Sequence, residues 1–369
     1  MPETTESTAL KEMFNAERYH GIARELAKLA PAFDRKRFLT LVLDGHGERA
    51  LMARMRQAAI AVRAALPGSY PQQLAVLRAL APRVQHGFVA IFLPEFVTVA
   101  GMNDFKSSMA ALRFFTRFGS AEFAIRPFLQ RDQAGVLAVM ERWATDEDEH
   151  VRRLASEGCR PRLPWGLRLA NLVRDPSPLA PILEQLKDDP SLYVRKSVAN
   201  NLNDIAKDHP AWVLARLESW DLSSTRTAWI ARRAARTLVK RGDSRALRLF
   251  GVTAAIGLHA KLVISPRKLA LGEIVRLEAT IRSTASRAQR LVVDYVVHYV
   301  KSNGSASAKV FKWTELDLAA GASVSLRKRQ VVRDFTTRRH FAGQHLVELQ
   351  VNGQRLAANK FTLVLPPAR

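Results

Sequence analysis

The sequence of 369 residues is poor in cysteine and has no long apolar run, and each shortage excludes a class of protein. The single cysteine, Cys159, excludes a disulfide framework and any thiolate cluster for zinc or iron–sulfur. A membrane-spanning helix needs roughly 18 or more consecutive apolar residues; the nearest approach, residues 87–101, is interrupted by Pro94 and Glu95. The first residues are acidic and polar, without the apolar segment of a secretion signal. These shortages predict a reduced, cytoplasmic protein with no membrane association.

Acidic residues are also few, which leaves a large positive charge. Lys and Arg number 57 against 34 Asp and Glu, so the formal net charge is +23. Such an excess favours a polyanionic partner, because cationic side chains neutralise phosphates and release their counterions. Apolar residues make up 47% of the chain, which is enough for complete hydrophobic cores rather than a disordered basic tail. Residues 259–369 are densely basic, with 19 Lys and Arg against 7 Asp and Glu. Both halves are therefore expected to face a nucleic acid.

The first part of the chain, from about residue 8 to residue 250, has the periodicity of amphipathic helices. Three segments align without gaps at offsets of 43 and 36 residues: HVRRLASEGC from His150, YVRKSVANNL from Tyr193 and WIARRAARTL from Trp229. We expect Asp189 to cap the second of these helices. Helix pairs that repeat at such intervals are typical of HEAT repeats, which stack because no pair buries its apolar face alone.

After residue 258 the hydrophobic period changes to two, over seven short runs separated by Gly and Ser turns. Seven strands in such a segment favour an immunoglobulin-like sandwich without a disulfide. The predicted fold is therefore an all-α solenoid of HEAT-like repeats followed by an all-β immunoglobulin-like sandwich. We place the domains at residues 1–255 and 256–369.

Several conspicuous side chains have ordinary structural interpretations. No nucleotide-binding, metalloprotease, serine-hydrolase or calcium-loop motif is present. The acidic run 146–149 precedes a helix, so capping is favoured over metal binding. Cys159 aligns with leucines of the other repeats, which predicts a buried core thiol at the end of its helix.

A polar stripe in the second repeat is harder to explain. Lys196, Asn200 and Asp204 follow one another at four-residue intervals, although Asn and Asp are poor helix formers. Stacking of the repeats would bring Glu157 beside Asn200, giving an acidic spot in a basic surface. The alternative is a solvated face on which Arg153 and Glu157 form an i,i+4 ion pair.

Two further residues invite a functional interpretation. Trp165 follows Pro164 on a connecting segment, where it can stack on a base or a sugar, or pack against the next helix as a staple. Glu122 lies in GSAEF, at the second position of a helix that Ser120 would cap. A structural acid favoured by the helix dipole is the alternative there.

The segments HVRRLASEGCRPRLPW and YVRKSVANNLNDIAKDHP, on a helical-repeat region followed by an Ig-like region, resemble the AlkC family. These are bacterial HEAT-like-repeat DNA glycosylases that remove cationic alkylated bases in base excision repair. The resemblance covers essentially the whole chain. It implies a lesion site formed by Glu157, Glu122, Asp204 and Trp165 as catalytic residues, with no metal and no cofactor.

The same resemblance implies that basic residues hold the DNA backbone. The candidates are Arg152, Arg153, Arg195 and Lys196 on the two motif helices with the polar Asn200 beside them, and, by their charge, Arg232, Arg233, Arg338 and Arg339. The segment Arg327–Arg329 is a further candidate, or plain solvated surface. The implied partner is double-stranded DNA with 3-methyladenine- or 3-methylcytosine-type lesions, bound by a monomer near the bacterial nucleoid.

The chemistry expected of such a site is simple. An alkylated base already carries a positive charge and leaves without a general acid, so a carboxylate need only stabilise the sugar cation and position a water. No lysine nucleophile is evident, which predicts a monofunctional glycosylase that leaves an abasic site. Two alternatives stay open: a non-catalytic HEAT scaffold that binds nucleic acid or an acidic protein, and a DNA binder that recognises damage without cutting.

Overall fold

The computed structural model describes residues 10–84, 88–335 and 338–365. None of the described helices combines the length and apolar character that a membrane span requires. The α-helices are α1 Ala16–Leu29, α2 Arg35–Leu43, α3 Leu51–Ala65, α4 Tyr70–Leu80, α5 Phe92–Ala100, α6 Phe105–Phe115, α7 Ile125–Arg131, α8 Gln133–Trp143, α9 Glu149–Glu157, α10 Ala170–Arg174, α11 Ala180–Gln185, α12 Leu192–Ile205, α13 Pro210–Ser219, α14 Thr225–Ala234, α15 Arg236–Arg241 and α16 Ser244–Leu249. Short 3-10 turns lie at His46–Glu48, Ala81–Arg83, Phe88–Ile91 and Ser177–Leu179.

The chain forms two compact units. One contains Met1–His209 and Trp220–Ala234, and the other contains Pro210–Ser219 and Ala235–Arg369. The predicted boundary at residues 255 and 256 lies between the last helix and the first strand. The compact units divide the chain elsewhere, because α13, α15 and α16 group with the sandwich. These three helices therefore belong to the unit that contains the strands.

The three aligned segments form the central helices of successive repeats, since α12 packs against both α9 and α14. The prediction of helical repeats is confirmed, but the predicted cap of α12 is wrong. Ser191 caps α12 by accepting a hydrogen bond from the Tyr193 amide, whereas Asp189 pairs with Arg152 at 2.7 Å. The third segment is broken at Ala235, which separates α14 from α15.

The polar residues within α12 connect the repeats. The Asn201 amide donates to the carbonyl oxygen of Ser156 in the preceding repeat at 2.9 Å. Asp204 accepts from Arg160, which follows α9. A helix interior tolerates these poor helix formers because their side chains satisfy polar groups that would otherwise be buried without partners. Lys196 alone of the predicted stripe is exposed, and Asp204 is buried.

The C-terminal strands form two facing sheets, as an immunoglobulin-like sandwich requires. The strands are β1 Leu258–Ser265, β2 Lys268–Ala270, β3 Ile274–Ser283, β4 Gln289–Val300, β5 Ala306–Leu318, β6 Ser323–Val331, β7 Gly343–Val351 and β8 Gln354–Val364. One sheet has the order β1-β3-β6 and the other β2-β8-β7-β4-β5. All neighbours are antiparallel except β2 and β8. The described residues thus hold eight strands, one more than predicted, because β2 is too short to show an alternating pattern.

Inward-facing aliphatic and aromatic residues of both sheets form one core. It includes Leu277 and Ile281 from the smaller sheet and Val293, Val347 and Phe361 from the larger one. The alternation along β3 is strict, with every second side chain buried. The predicted combination of helical repeats and an Ig-like sandwich is confirmed.

Candidate functional site

The helical unit contains a concave cavity of about 670 Å³. This volume lies within the range of roughly 300–1,000 Å³ that small-molecule sites occupy. Aromatic, acidic and basic side chains meet on its wall. The lining residues are Phe88, Ile91, Thr116, Arg117, Phe118, Gly119, Ser120, Glu122, Phe123, His150, Arg153, Glu157, Arg160, Leu163, Pro164, Trp165 and Tyr193. Three of the four predicted catalytic residues therefore face one space, and the fourth, Asp204, lies outside its lining.

Glu122 reaches the cavity from a turn rather than from a helix. The chain turns at residues 121–124, and α7 begins at Ile125, so the predicted helix start at Ser120 is wrong. The Ser120 hydroxyl instead donates to the Glu122 carboxylate at 2.8 Å and accepts from Arg153 at 2.6 Å. The Glu122 carboxylate is thus fixed by a hydroxyl and a guanidinium, with no contribution from a helix start.

Five buried or nearly buried charges alternate in a row, of which all but Asp204 line the cavity. Arg153 contacts both Glu122 and Glu157, the latter at 3.4 Å. Arg160 contacts Glu157 at 2.6 Å on one side and Asp204 at 2.7 Å on the other. The i,i+4 pair of Arg153 and Glu157 is therefore present, but it lies in the cavity wall and not on a solvated face. We call Glu122, Arg153, Glu157, Arg160 and Asp204 the charge row.

The electrostatics of the charge row keep both arginines charged. Burial disfavours the charged form of Arg153, but the carboxylates of Glu122 and Glu157 outweigh it and raise the pKa of Arg153. Arg160 is also buried, and Glu157 and Asp204 raise the pKa of Arg160 in the same way. Lys207 adds a second cation to Asp204 at 2.8 Å. Each acid of the row is therefore held in a defined direction by at least one cation.

Arg160 is the site residue that sequence reasoning missed. It lies three residues after Glu157, beyond the end of α9, so no helical spacing relates it to Asp204. Its guanidinium bridges two successive repeats through Glu157 and Asp204. The sequence offers one indication of its role: stacking of the repeats brings Glu157 and Asp204 close together, and two neighbouring buried acids need a cation between them. Asp204 consequently meets the cavity only through Arg160.

Trp165 lies on the connecting segment after α9, as predicted, and its side chain is 60% exposed. The exposure excludes the alternative of a staple packed against the next helix. Its ring meets Phe88 edge to face, with centroids 6.4 Å apart. Its backbone has φ of 63°, a left-handed conformation that is uncommon for a bulky residue. Such outliers persist where the surrounding structure enforces them, often at functional sites.

The residues predicted to hold the DNA backbone differ in how they are placed. Arg152 donates to the carbonyl oxygens of Asp146 and Glu147, and Arg195 donates equivalently to those of Asp189 and Pro190. The two arginines thus secure equivalent turns of successive repeats. The acidic run is used as predicted in one respect, since Asp148 caps α9 at 2.8 Å.

Other predicted backbone contacts lie at the surface or against aromatic rings. Arg153 lies over the ring of Tyr193 at 5.0 Å, and Arg233 lies over Trp229 at 5.5 Å. Lys196, Arg232 and Arg339 are exposed, Asn200 is half-buried, and Arg338 lies over Tyr299 at 4.6 Å.

Cys159 is fully buried, as predicted, but follows the end of α9 by two residues. Burial raises the pKa of its thiol to about 12.

Comparisons with known proteins cover almost the whole chain. Residues 115–239 match the family described as DNA alkylation repair enzyme, and residues 259–365 match the C-terminal Ig-like domain of YhaZ. The uncharacterized protein YhaZ of Bacillus subtilis strain 168 is 41% identical over 348 residues, which is 94% of this chain and 96% of that protein. The structure of the alkylpurine DNA glycosylase AlkC of Pseudomonas fluorescens, bound to DNA containing an abasic-site analogue, is 52% identical with a TM-score of 0.93. That alignment covers 96% of this chain and 99% of the other.

The chain belongs to the AlkC family. The resemblance inferred from the two repeat motifs is therefore confirmed, and the chain is a DNA alkylation repair enzyme of the AlkC type with an Ig-like domain. What the individual residues of the cavity do in this AlkC-type enzyme stays a prediction.

Proposed function

We propose that this AlkC-type protein is a monofunctional DNA glycosylase that hydrolyses the N-glycosidic bond of cationic alkylated bases. The observation that carries the proposal is the cavity whose wall contains Glu122 and Glu157 together with an exposed tryptophan, Trp165. Its volume of about 670 Å³ accommodates a nucleobase and its sugar. The substrate is double-stranded DNA carrying lesions of the 3-methyladenine or 3-methylcytosine type, and the protein acts as a monomer at the bacterial nucleoid.

The chemistry requires little of the protein. Alkylation at such a ring nitrogen makes the base a cation, which leaves without protonation. The sugar then develops oxocarbenium character, and carboxylates stabilise that charge and orient the water that captures it. Because the site excludes part of the solvent, a fixed carboxylate acts more strongly there than in water.

The charge row suggests a separate role for each acid. Glu157 is the principal stabiliser or water-positioning group, and Glu122 assists it from the facing turn. Asp204 contributes by holding Arg160, since both its oxygens are engaged by Arg160 and Lys207. The indole of Trp165 packs on the sugar or the lesion, where its π-face favours a positive charge.

Monofunctional action is supported by the composition of the cavity wall. A glycosylase that also cleaves the strand uses an amine to form a Schiff base with the sugar. No lysine occurs among the described residues that line the cavity. The expected product is therefore an intact abasic site.

The test is incubation with methylated duplex DNA, followed by chromatography of the released bases and gel analysis of the strands. The native protein releases 3-methyladenine or 3-methylcytosine without strand cleavage. Glu157→Gln abolishes release while DNA binding is largely kept, because only the negative charge is removed.

Glu95→Gln is the matched control. Glu95 is also a buried glutamate with an arginine partner, Arg56 at 2.6 Å, and it does not line the cavity. We expect this variant to release bases at the native rate. Native single-turnover rates for Glu157→Gln would remove Glu157 from the mechanism, and tight binding with no released base would leave a damage-recognition protein.

We further propose that the Ig-like domain holds the DNA backbone through the outward face of its three-stranded sheet. The exposed positions of β1, β3 and β6 include Lys261, Arg276, Arg282, Arg327 and Arg329 but one acid, Glu278. Deletion of residues 259–369 should weaken binding and excision. Because α13, α15 and α16 belong to the same compact unit, substitutions on this face are the cleaner test.

A further inference from the structure

A fully buried arginine lies next to the site without lining the cavity. Arg126, near the start of α7, has no exposed surface, which is unusual for the most polar of side chains. Burial, with a smaller contribution from the nearby Arg160, lowers the pKa of Arg126 to about 10, so its charge carries a cost but persists at neutral pH. Such a residue is retained where its hydrogen bonds do something that an apolar side chain cannot.

The hydrogen bonds of Arg126 reach both ends of the segment that carries Trp165. Its Nη1 donates to the carbonyl oxygen of Gly158 at 2.8 Å, and its Nε donates to that of Leu167 at 2.6 Å. The approach is close, since a Cβ on Gly158 would meet Ile125 at 2.7 Å and one on Gly166 would meet Arg126 at 3.2 Å. We call residues 158–167 the tryptophan loop. One guanidinium therefore links the two ends of the loop through hydrogen bonds.

The first part of the tryptophan loop is fixed by the burial of Cys159 and by the ion pairs of Arg160 and Arg162, but the exposed part around Trp165 has few contacts of its own. Its described internal backbone hydrogen bonds are long, from Gly166 to Leu163 at 3.2 Å and, just beyond its end, from Leu169 to Pro161 at 3.3 Å. The exposed indole of Trp165 contributes little packing of its own. Its left-handed backbone is strained and persists only where the surroundings over-determine it. Fixed loop ends are what over-determine it here.

We propose that Arg126 is a positioning residue for base release, which fixes both ends of the tryptophan loop and thereby places Trp165 at the mouth of the cavity. The inference rests on the proposed function of the cavity. It assigns to Arg126 no contact with DNA. Its effect on the reaction passes through Trp165.

The experiment is a double-mutant cycle of Arg126→Met and Trp165→Ala, measured as single-turnover base release from methylated duplex DNA well below the melting temperature. Met keeps a flexible apolar chain in place of the arginine stem and removes the guanidinium. Misplacement of a substrate-contacting group by about 1 Å can cost roughly 100-fold in rate. We expect a loss of roughly 10- to 100-fold from Arg126→Met in the native background, and less than about 3-fold once Trp165 is absent. Arg126→Lys, which retains donors, should recover part of the rate.

Arg54→Met is the matched control. Arg54 is also a buried arginine that donates to backbone carbonyls, those of Lys11 at 3.0 Å and Phe14 at 3.2 Å, and it does not line the cavity. Its replacement should lower the melting temperature without lowering the rate. An equal rate loss in the Arg54 variant would reduce Arg126 to a general contributor to stability and overturn the inference.

Two further outcomes would overturn it. The native rate in Arg126→Met, or a loss of the same size with and without Trp165, excludes action through the tryptophan. If Arg126→Met does not fold, Gly166→Ala disturbs the same contact from the other side and should show the same dependence on Trp165. Failure of the proposed function is distinguishable, because then either the native protein releases no base or Glu157→Gln releases bases at the native rate, whatever the result for Arg126.

Discussion

The two units bury carboxylates in different ways. In the helical unit, Glu157 and Asp204 are bridged by the guanidinium of Arg160. In the Ig-like domain, Asp294 on β4 is equally buried, but its hydrogen bond comes from the neutral amide of Gln350 at 3.2 Å. Burial therefore raises the pKa of Asp294 to about 6. No cation of the kind that serves the charge row is in contact with it among the described residues.

The contrast distinguishes buried carboxylates that cations hold in place, Glu157 and Asp204, from Asp294, a buried carboxylate without such a partner in the part of the chain that the structure describes. Buried acids that must stay ionised need fixed cations, and the helical unit provides them from three different segments. The cations of the Ig-like domain lie instead at its surface, where Arg327 is 84% exposed and 3.3 Å from Glu278. Positive charge thus organises buried carboxylates in one unit and stays exposed in the other, where we propose that it holds the DNA backbone.

The largest expected effect is that of breaking the charge row at Arg160. Arg160→Met leaves two buried carboxylates with reduced compensation, and removal of one partner of a buried ion pair typically costs about 3–5 kcal/mol. In this variant Glu157 still contacts Arg153, and Asp204 still contacts Lys207. We therefore expect the free energy of unfolding to fall by about 3 kcal/mol and base release to be lost. Urea unfolding measures the stability.

The surface counterpart is Arg327→Met, in which an exposed pair is lost. Exposed ion pairs are worth about 0–1 kcal/mol, so its free energy of unfolding should change little. Equal decreases in the free energy of unfolding of Arg160→Met and Arg327→Met would show that the charge row stabilises the protein no more than an exposed ion pair does.

The second prediction concerns the pH dependence of the Ig-like domain. The pKa of Asp294 is raised from 3.8 to about 6, so the native state binds the proton more tightly than the unfolded state. The stability from this group is full below pH 3.8 and is lost as pH rises through 6. Asp294→Asn should raise the free energy of unfolding by about 1–3 kcal/mol at pH 7 and leave it unchanged near pH 4. Asp317→Asn, at an exposed position on β5, is the control and should show no such difference.

Much of the fold could be predicted because it depends on periodic patterns. The apolar faces of α9 and α12 and the alternation in β3 are local consequences of burial on one side. What could not be predicted depends on competition between partners. Asp189 had the position of a cap, but Ser191 takes that role while Asp189 pairs with an arginine of the previous repeat.

The candidate site shows the same division. Glu122, Glu157 and Trp165 were brought together by resemblance to a family, and the structure places them around one cavity. Arg160 and Arg126 were missed because their partners are remote in sequence, 44 residues away for Asp204 and 41 for Leu167. Pairings across such distances carry no local signal.

The smallest effect concerns the basic face of the Ig-like domain and would show whether its charge serves a purpose. Arg276 on β3 lies directly opposite Arg329 on β6, and like charges in this position destabilise a sheet. Arg276→Gln with Arg329→Gln should therefore raise the free energy of unfolding by about 0.2–1 kcal/mol. If both side chains contact phosphates, the same substitutions reduce the slope of log affinity for DNA against log salt by roughly 1.8. Arg290→Gln with Arg355→Gln, on the larger sheet where both cations contact glutamates, is the control and should leave the slope almost unchanged. If the double variant is more stable but its affinity for DNA keeps the native salt dependence, these arginines do not contact phosphates. The DNA-binding face would then lie elsewhere in the domain.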